Sequence, residues 1–322
     1  MRIRTNTPAL TLAFLAVMMV LFAGCKRPPA TPAPRDGKLK VVTTFFPVYC
    51  FTANVAGDLA EVQNLLPPGS GPHGYSFTAR DGQKISSAQL VIMNGLGLDD
   101  WLERSIRNLS SRHKPDIVAM TGGMSDQLIE TGHEGHDHSH DHDHGHHHGH
   151  DHGSNDPHVW LDPILSIDAV KTIRDALLKA DPENADGYAK NAEAFIVRLE
   201  ALDAELKKKL AGATDAPFVT FHNAFPYFIR RYGLKLAAVV EQTPDVSPSP
   251  KQQAKLYDTI RESKARVLFT EPQFSAKLAQ RISEDLKIPI AELDPLETGA
   301  FEKAAYETAM RQNVAILKEH LK

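Results

Sequence analysis

The chain holds 16 histidines, and 11 of them crowd between His133 and His152 among acids, glycines and a serine. Alternating imidazole and carboxylate groups bind borderline divalent ions such as zinc, nickel or copper in many loosely defined arrangements. A sharper signal comes from four residues outside that stretch. His73 stands in a Gly/Pro loop, PPGSGPHGYSF, and His158 follows the His-rich stretch in DPHVWLDP. His222 ends the run PFVTFH, and Asp294 follows IPIAEL and precedes Pro295. Three imidazoles and one carboxylate complete a tetrahedral site for zinc. Each residue also has a plainer role open to it. A lone His beside a turn is commonly a surface group, and an Asp before Pro commonly starts a turn or caps a helix. Glu271, in FTEPQFS, ends an apolar run too, and it competes for the fourth position or stands behind it. His113 and His320 sit in polar, surface-like surroundings.

The elements that must carry these residues alternate between short β-rich runs and helical patterns. Strands are expected at 39–45, 62–66, 90–94 and 116–120, and again at 218–222, 236–241, 267–271 and 290–293. Helical patterns fall near 48–59, 83–87 and 100–109, then near 224–232, 250–263 and 276–286, with a last helix from 301 to 321. Alternation of this kind, met twice, predicts two α/β lobes with parallel sheets. Ligand sites in open sheets lie outside the carboxyl ends of strands, and His73, His222 and Asp294 all stand at such ends. Between the lobes, Tyr188, Ala192, Phe195, Leu199, Leu202, Leu206 and Leu210 step by three or four residues. Asp181-Pro182-Glu183 reads as a helix start, and Lys207 to Lys209 followed by Gly212 as its end. A helix over 183–211 would span roughly 44 Å, a long rigid spine that limits hinge motion.

The N-terminus reads as an export leader. Arg2 and Arg4 precede an apolar run from Leu10 to Phe22, shorter than the about 20 residues that span a bilayer. Ala23-Gly24-Cys25 resembles a lipobox, in which the Cys is lipidated and begins the mature chain. The expected organisation is a leader over 1–24, a Pro-rich tether over 25–38 and a first lobe over 39–181. That lobe carries a disordered His-rich excursion over 121–157, whose composition cannot build a core, and the linking helix over 182–212 leads to a second lobe over 213–322. A net charge of −4 gives no basic field for nucleic acid, and two cysteines exclude a disulfide framework. With Cys25 lipidated, Cys50 is expected to be a small buried hydrophobe.

VVTTFFPVY, the PPGSGPHGYSF loop, NGLGLDDWLE, DPHVWLDP, FHNAFPYFIRRYGL, FTEPQFS and LDPL occur in one order that covers nearly all of the mature chain. In this the chain resembles the zinc-uptake substrate-binding lipoproteins of bacterial ABC transporters, within a wider zinc/manganese-binding family. The resemblance implies two α/β lobes joined by a long helix, with the metal in the inter-lobe cleft on His73, His158, His222 and Asp294. It implies a monomer held at the membrane by lipid on Cys25, facing the periplasm or the outside, that passes Zn²⁺ to an ABC-type membrane permease. His at position 222 argues for zinc over manganese, which a three-His, one-carboxylate site can also hold. Pro72 replaces the acid that often precedes the loop His in relatives, and no cysteine beyond Cys50 provides a second-lobe disulfide. A manganese carrier, a surface adhesin and a zinc hydrolase are the competing functions, although no HExxH helix or obvious general base supports the last. The His133–His152 stretch is expected to collect several ions weakly beside one specific site.

If Cys25 carries the anchor, Cys25→Ser leaves the protein uncleaved or soluble while its metal site survives. Membrane fractionation of the variant checks this, and processed protein that still sediments with membranes would refute it.

Overall fold

The computed structural model describes residues 37–107, 114–131, 155–241, 248–272 and 277–322. Cys25 with the leader, the tether up to residue 36, His113 and the His133–His152 stretch lie outside them. Four strands form the first sheet: β1 (Leu39–Thr43), β2 (Ala60–Asn64), β3 (Leu90–Met93) and β4 (Asp116–Ala119). They are parallel in the order β2-β1-β3-β4. Its helices are α1 (Phe46–Ala56), α2 (Ala79–Ser87) and α3 (Asp100–Arg107). Two more, α4 (Pro163–Ala180) and α5 (Ala185–Leu210), lead into the second sheet. There β5 (Pro217–His222), β6 (Lys235–Glu241), β7 (Leu268–Thr270) and β8 (Ile290–Glu292) run parallel in the order β6-β5-β7-β8. Helices α6 (Pro226–Tyr232), α7 (Pro250–Ser263), α8 (Lys277–Leu286) and α9 (Ala305–His320) complete it. The two α/β lobes expected from the alternation are therefore present.

Local chemistry accounts for the element ends. Thr78 and Asp81 form a reciprocal capping box at α2, and Ser249 and Gln252 form another at α7, where Pro250 takes the first helical position. Asp162 caps α4 by accepting the Ile164 amide at 2.8 Å. Central strand β3, LVIM, is buried along its whole length, as a parallel strand covered on both faces must be.

Three features differ from the sequence expectation. The excursion over 121–157 is ordered at both ends, where Met124 and Asp156 are buried and Glu130 pairs with Asn155 in an antiparallel bridge. Helix α4 occupies a stretch that was given no element. Its apolar positions Leu165, Ala169, Val170, Ile173 and Leu177 do follow a helical period, but the β-branched Ile164, Ile167, Val170, Thr172 and Ile173 weigh against helix in local propensity. The long helix starts later than 183, because Pro182–Asn184 forms a 3₁₀ turn. Asp181 accepts the Tyr188 hydroxyl at 2.7 Å and the Asn184 amide at 2.8 Å rather than capping the backbone. The 26 residues of α5 span about 39 Å.

The spine is also not solitary. Helix α5 packs against α4, α1 and α9. One apolar core runs through both lobes, from Val41 and Phe51 through Phe195 and Leu202 to Phe218, Tyr306 and Val314. A smaller cluster around Val219, Phe221, Leu256 and Ile282 covers the other face of the second sheet. Strand alternation then puts His222 on the face opposite Val219 and Phe221, toward the main core. Polar ties reinforce the junction. Arg198 on α5 donates to Glu307 on α9 at 2.9 Å and to Asn54 on α1, and the Asn54 amide donates to the Lys303 carbonyl at 2.7 Å. Cys50 is buried at this junction, and burial pushes its thiol up to about 12.

Phe51 sits where α1, α5 and α9 meet, with ring centroids 5.8 Å from Phe195 and 4.9 Å from Tyr306. Phe51→Ala should cost about 3–5 kcal/mol of stability. Because the core is continuous across both lobes, denaturant unfolding of the variant should remain one transition by circular dichroism and by fluorescence. Separate lobe transitions would contradict the continuous core.

Candidate metal centre

The residues of interest come from four separate segments that end at the carboxyl edges of the two sheets. The loop between β2 and α2 delivers His73. Prolines 67, 68 and 72 stiffen it, and Gly74 turns it with φ of 66°, a conformation that disfavours side chains with a Cβ. Tyr75 donates to Asp81 at 2.9 Å, which ties the loop to the start of α2. His158 opens the 3₁₀ turn Val159–Leu161, which leads into α4. His222 is the last residue of β5.

These three imidazoles converge. Ring centroids of His73 and His158 lie 5.6 Å apart, those of His73 and His222 5.2 Å, and those of His158 and His222 5.0 Å. The carboxylate that joins them is Glu297, not Asp294. One donor atom from each of His73, His158, His222 and Glu297 lies within 4.8 Å of all the others. Glu297 Oε1 stands 3.1 Å from His73 Nε2 and 3.6 Å from His158 Nε2. A tetrahedron with bonds of 2.0–2.2 Å has edges of about 3.3–3.6 Å, so these separations suit one small ion. His158 Nε2 is buried without a hydrogen-bond partner, a costly state that a metal bond would relieve. The donor set therefore fits zinc.

The turn after β8 explains why the nearer acid is excluded. Asp294 folds back so that its Oδ1 accepts the Leu296 amide at 2.7 Å, and its own amide donates to Asn313 at 3.0 Å. Leu296 takes a φ of 58°, and the chain reverses to send Glu297 into the cluster. The Trp160 indole holds the same turn from the first lobe by donating to the Pro295 carbonyl at 2.8 Å. Gly71 lets the His73 loop pass close by, since a Cβ there would come within 3.1 Å of Glu297 Oε2.

Behind the ligand atoms stand two more carboxyl groups. Asp156 Oδ1 accepts both the amide and the Nδ1 of His158 at 3.0 Å. Glu271 accepts the His222 amide on one oxygen and faces His222 Nδ1 with the other, each at 3.1 Å. Both partners leave Nε2 as the atom that the imidazole offers, an arrangement that raises ligand basicity and fixes ring orientation. Glu271 therefore stands behind His222 rather than in the fourth position. Asp156 lies two residues before His158 in DPHVWLDP, a spacing that could have marked it. Trp160 is fully buried, and its ring lies 5.1 Å from that of His158. His320 is outside the cluster, with its ring 6.2 Å from Phe269.

The electrostatics follow from burying one negative charge among imidazoles. Burial alone would raise Glu297, but His73 and His158 hold it well below the ordinary carboxylate range. Burial likewise pulls His158 down, yet Asp156 and Glu297 together outweigh it and lift the imidazole to about 10. Burial pushes His222 down to about 3, with His158 and His73 acting in the same direction against Glu297. Glu271 rises to about 8 through burial and the nearby Glu297 charge. Asp294 rises to about 6, mainly by burial.

The chain is similar to several proteins named for metal binding or zinc uptake. Zinc-binding lipoprotein AdcA of Streptococcus pneumoniae is 36% identical over 295 residues, covering 88% of this chain. The chain spans 56% of the length of that relative. The Zn(II)-bound crystal structure of AdcA from the same organism superposes with a TM-score of 0.70 at 32% identity, over 88% of this chain and 58% of that one. The high-affinity zinc uptake system protein ZnuA of Bacillus subtilis is 33% identical, covering 96% of this chain and 97% of its own length. FpvC of Pseudomonas aeruginosa, an SBP solved in complex with Ni²⁺, gives a TM-score of 0.75 at 29% identity, over 88% of this chain and 97% of that one. The family model described as zinc-uptake complex component A, periplasmic (ZnuA) matches residues 41–320, and the chain belongs to that family.

Proposed function

We propose that this chain captures one extracytoplasmic Zn²⁺ ion on His73, His158, His222 and Glu297 and delivers it to an ABC-type membrane permease. The observation that carries the reading is the four-donor cluster, with Nε2 of His158 buried and without a hydrogen-bond partner. Zinc is the cargo, and the relatives named for zinc binding and zinc uptake support that choice. Lipid on Cys25 would hold the protein at the membrane, and the lipoprotein name of the streptococcal relative supports such an anchor.

The residues divide the work as follows. Three imidazole nitrogens and one carboxylate oxygen favour zinc over a harder ion such as manganese. Glu297 supplies the negative charge that offsets the cation. Asp156 and Glu271 aim two of the rings, so little ordering remains to be done when the ion arrives. A zinc ion must displace the proton from His158 Nε2, because only the free nitrogen binds metal. With His158 lifted to about 10, that proton is present at neutral pH. Zinc affinity should accordingly rise about tenfold per pH unit between pH 6 and 8, with about one proton released per ion. Calorimetry in two buffers of different ionisation enthalpy measures that release, and binding without proton release would contradict it.

Substitution separates the two acids of the β8 turn. In a variant lacking residues 133–152, Glu297→Gln should weaken zinc about a hundredfold or more, as should His222→Ala. Asp294→Asn, which can still accept the Leu296 amide, should stay within about threefold of its parent. Asp156→Asn should cost about ten- to a hundredfold by loosening His158. Chelator competition reads all four. A tight site that survives Glu297→Gln and fails with Asp294→Asn would overturn the ligand assignment.

A further inference from the structure

His158 and His222 come from opposite lobes, yet the segments that carry them are joined by a hydroxyl that touches neither ring. Tyr227 lies fully buried in the first turn of α6, five residues beyond His222. Its hydroxyl donates to the main-chain carbonyl of Asp156 at 2.8 Å and accepts the amide of Ile129 at 3.0 Å. Asp156 is the residue whose carboxylate aims His158. Its own amide donates to the Ile129 carbonyl at 2.7 Å, and Glu130 and Asn155 beside it form an antiparallel bridge. One side chain of the second lobe thus closes the pair of segments that leads directly into the first-lobe ligand.

The contact is supported from its own helix. Arg230, one turn along the same face of α6, lies over the Tyr227 ring at 5.1 Å and donates to the Gln127 carbonyl at 2.9 Å. The Gln127 amide in turn donates to Asp168 on α4 at 3.0 Å. The strut is therefore anchored at both ends to helices of the main body.

We propose that Tyr227 is a positioning residue that sets the spacing of the His158 and His222 arms and thereby the zinc preference of the site. This rests on the zinc-binding reading above. A tetrahedral ion needs its donors about 3.3–3.6 Å apart, whereas an ion that prefers six ligands needs the arms to part and admit more donors. A strut that holds the arms together favours the first kind. Removing its hydroxyl leaves a buried carbonyl and a half-buried amide without that partner, and the segment that aims His158 relaxes to recover one.

The test uses the mature full chain, Tyr227→Phe, and chelator competition with Zn²⁺ and with Mn²⁺ at the tightest site. Zinc affinity should fall about tenfold while manganese affinity changes less than about twofold, narrowing the ratio about tenfold. Tyr188→Phe is the control. Its hydroxyl also donates to a buried acceptor, Asp181, at 2.7 Å but on α5, so it should lower the melting temperature and leave the metal ratio unchanged. An unaltered ratio in folded Tyr227→Phe would overturn the proposal. Independently of any variant, hydrogen exchange at the Ile129 amide of the wild type should be slow both with and without zinc. An amide that exchanges fast until zinc is added would also overturn the proposal, because the strut would then be a product of binding. A wild-type protein that takes up no zinc would instead sink the carrier reading itself, a result separate from either outcome above.

Discussion

The buried carboxylate of Glu297 is the constraint around which the rest is arranged. An ionised carboxylate taken out of water costs several kcal/mol unless cationic or hydrogen-bonding partners surround it. Here the partners are imidazoles from three other segments, and no two of the four groups are near neighbours in sequence. Satisfying that one charge brings the β2–α2 loop, the turn before α4, the end of β5 and the turn after β8 to a single point. The surrounding carboxyl groups follow, because Asp156 and Glu271 must aim two of the rings if their Nε2 atoms are to face the centre.

The scaffold meets this demand through its topology. In a parallel sheet every strand ends on the same edge, so loops that leave it gather naturally in one cleft. Two such sheets facing one another supply ligands from both sides. The continuous core through α1, α5 and α9 then keeps the two edges in register, and Trp160 adds a direct cross-lobe hydrogen bond to the Glu297 turn. Charge compensation and core packing thus depend on the same junction.

Much of this was legible in the chain. Among the described residues, all eight strands and every helix except α4 follow from alternation, His73 and His222 from position at strand ends, and His158 from the resemblance carried by DPHVWLDP. The carboxylate that joins the three imidazoles was not. Asp294 and Glu297 lie three residues apart in one loop, and composition cannot rank them, because the choice rests on backbone dihedrals at Leu296 and on which amide captures the Asp294 side chain. The hint was present in the Asp-Pro pair, whose plainer role as a turn former is the one that the structure assigns. Asp156 escaped for a related reason, since a carboxylate that binds no metal has no spacing rule of its own. Helix α4 escaped because β-branched residues mask its period in local propensity.

The same neighbouring groups bear on whether such a site carries an ion or works on a substrate. A zinc hydrolase needs an open coordination position and a carboxylate free to take a proton from the water held there. Among the described residues, three carboxyl groups beside this cluster are engaged elsewhere. Glu271 has one oxygen on the His222 amide and the other facing His222 Nδ1, Asp156 gives one oxygen to both N–H groups of His158, and Asp294 holds the Leu296 amide. Glu297 itself lies among the imidazoles, where it would take the position that an attacking water needs. Groups fixed in this way orient the imidazoles and offset charge. That distribution of hydrogen bonds is in keeping with the proposed role of holding and releasing the ion.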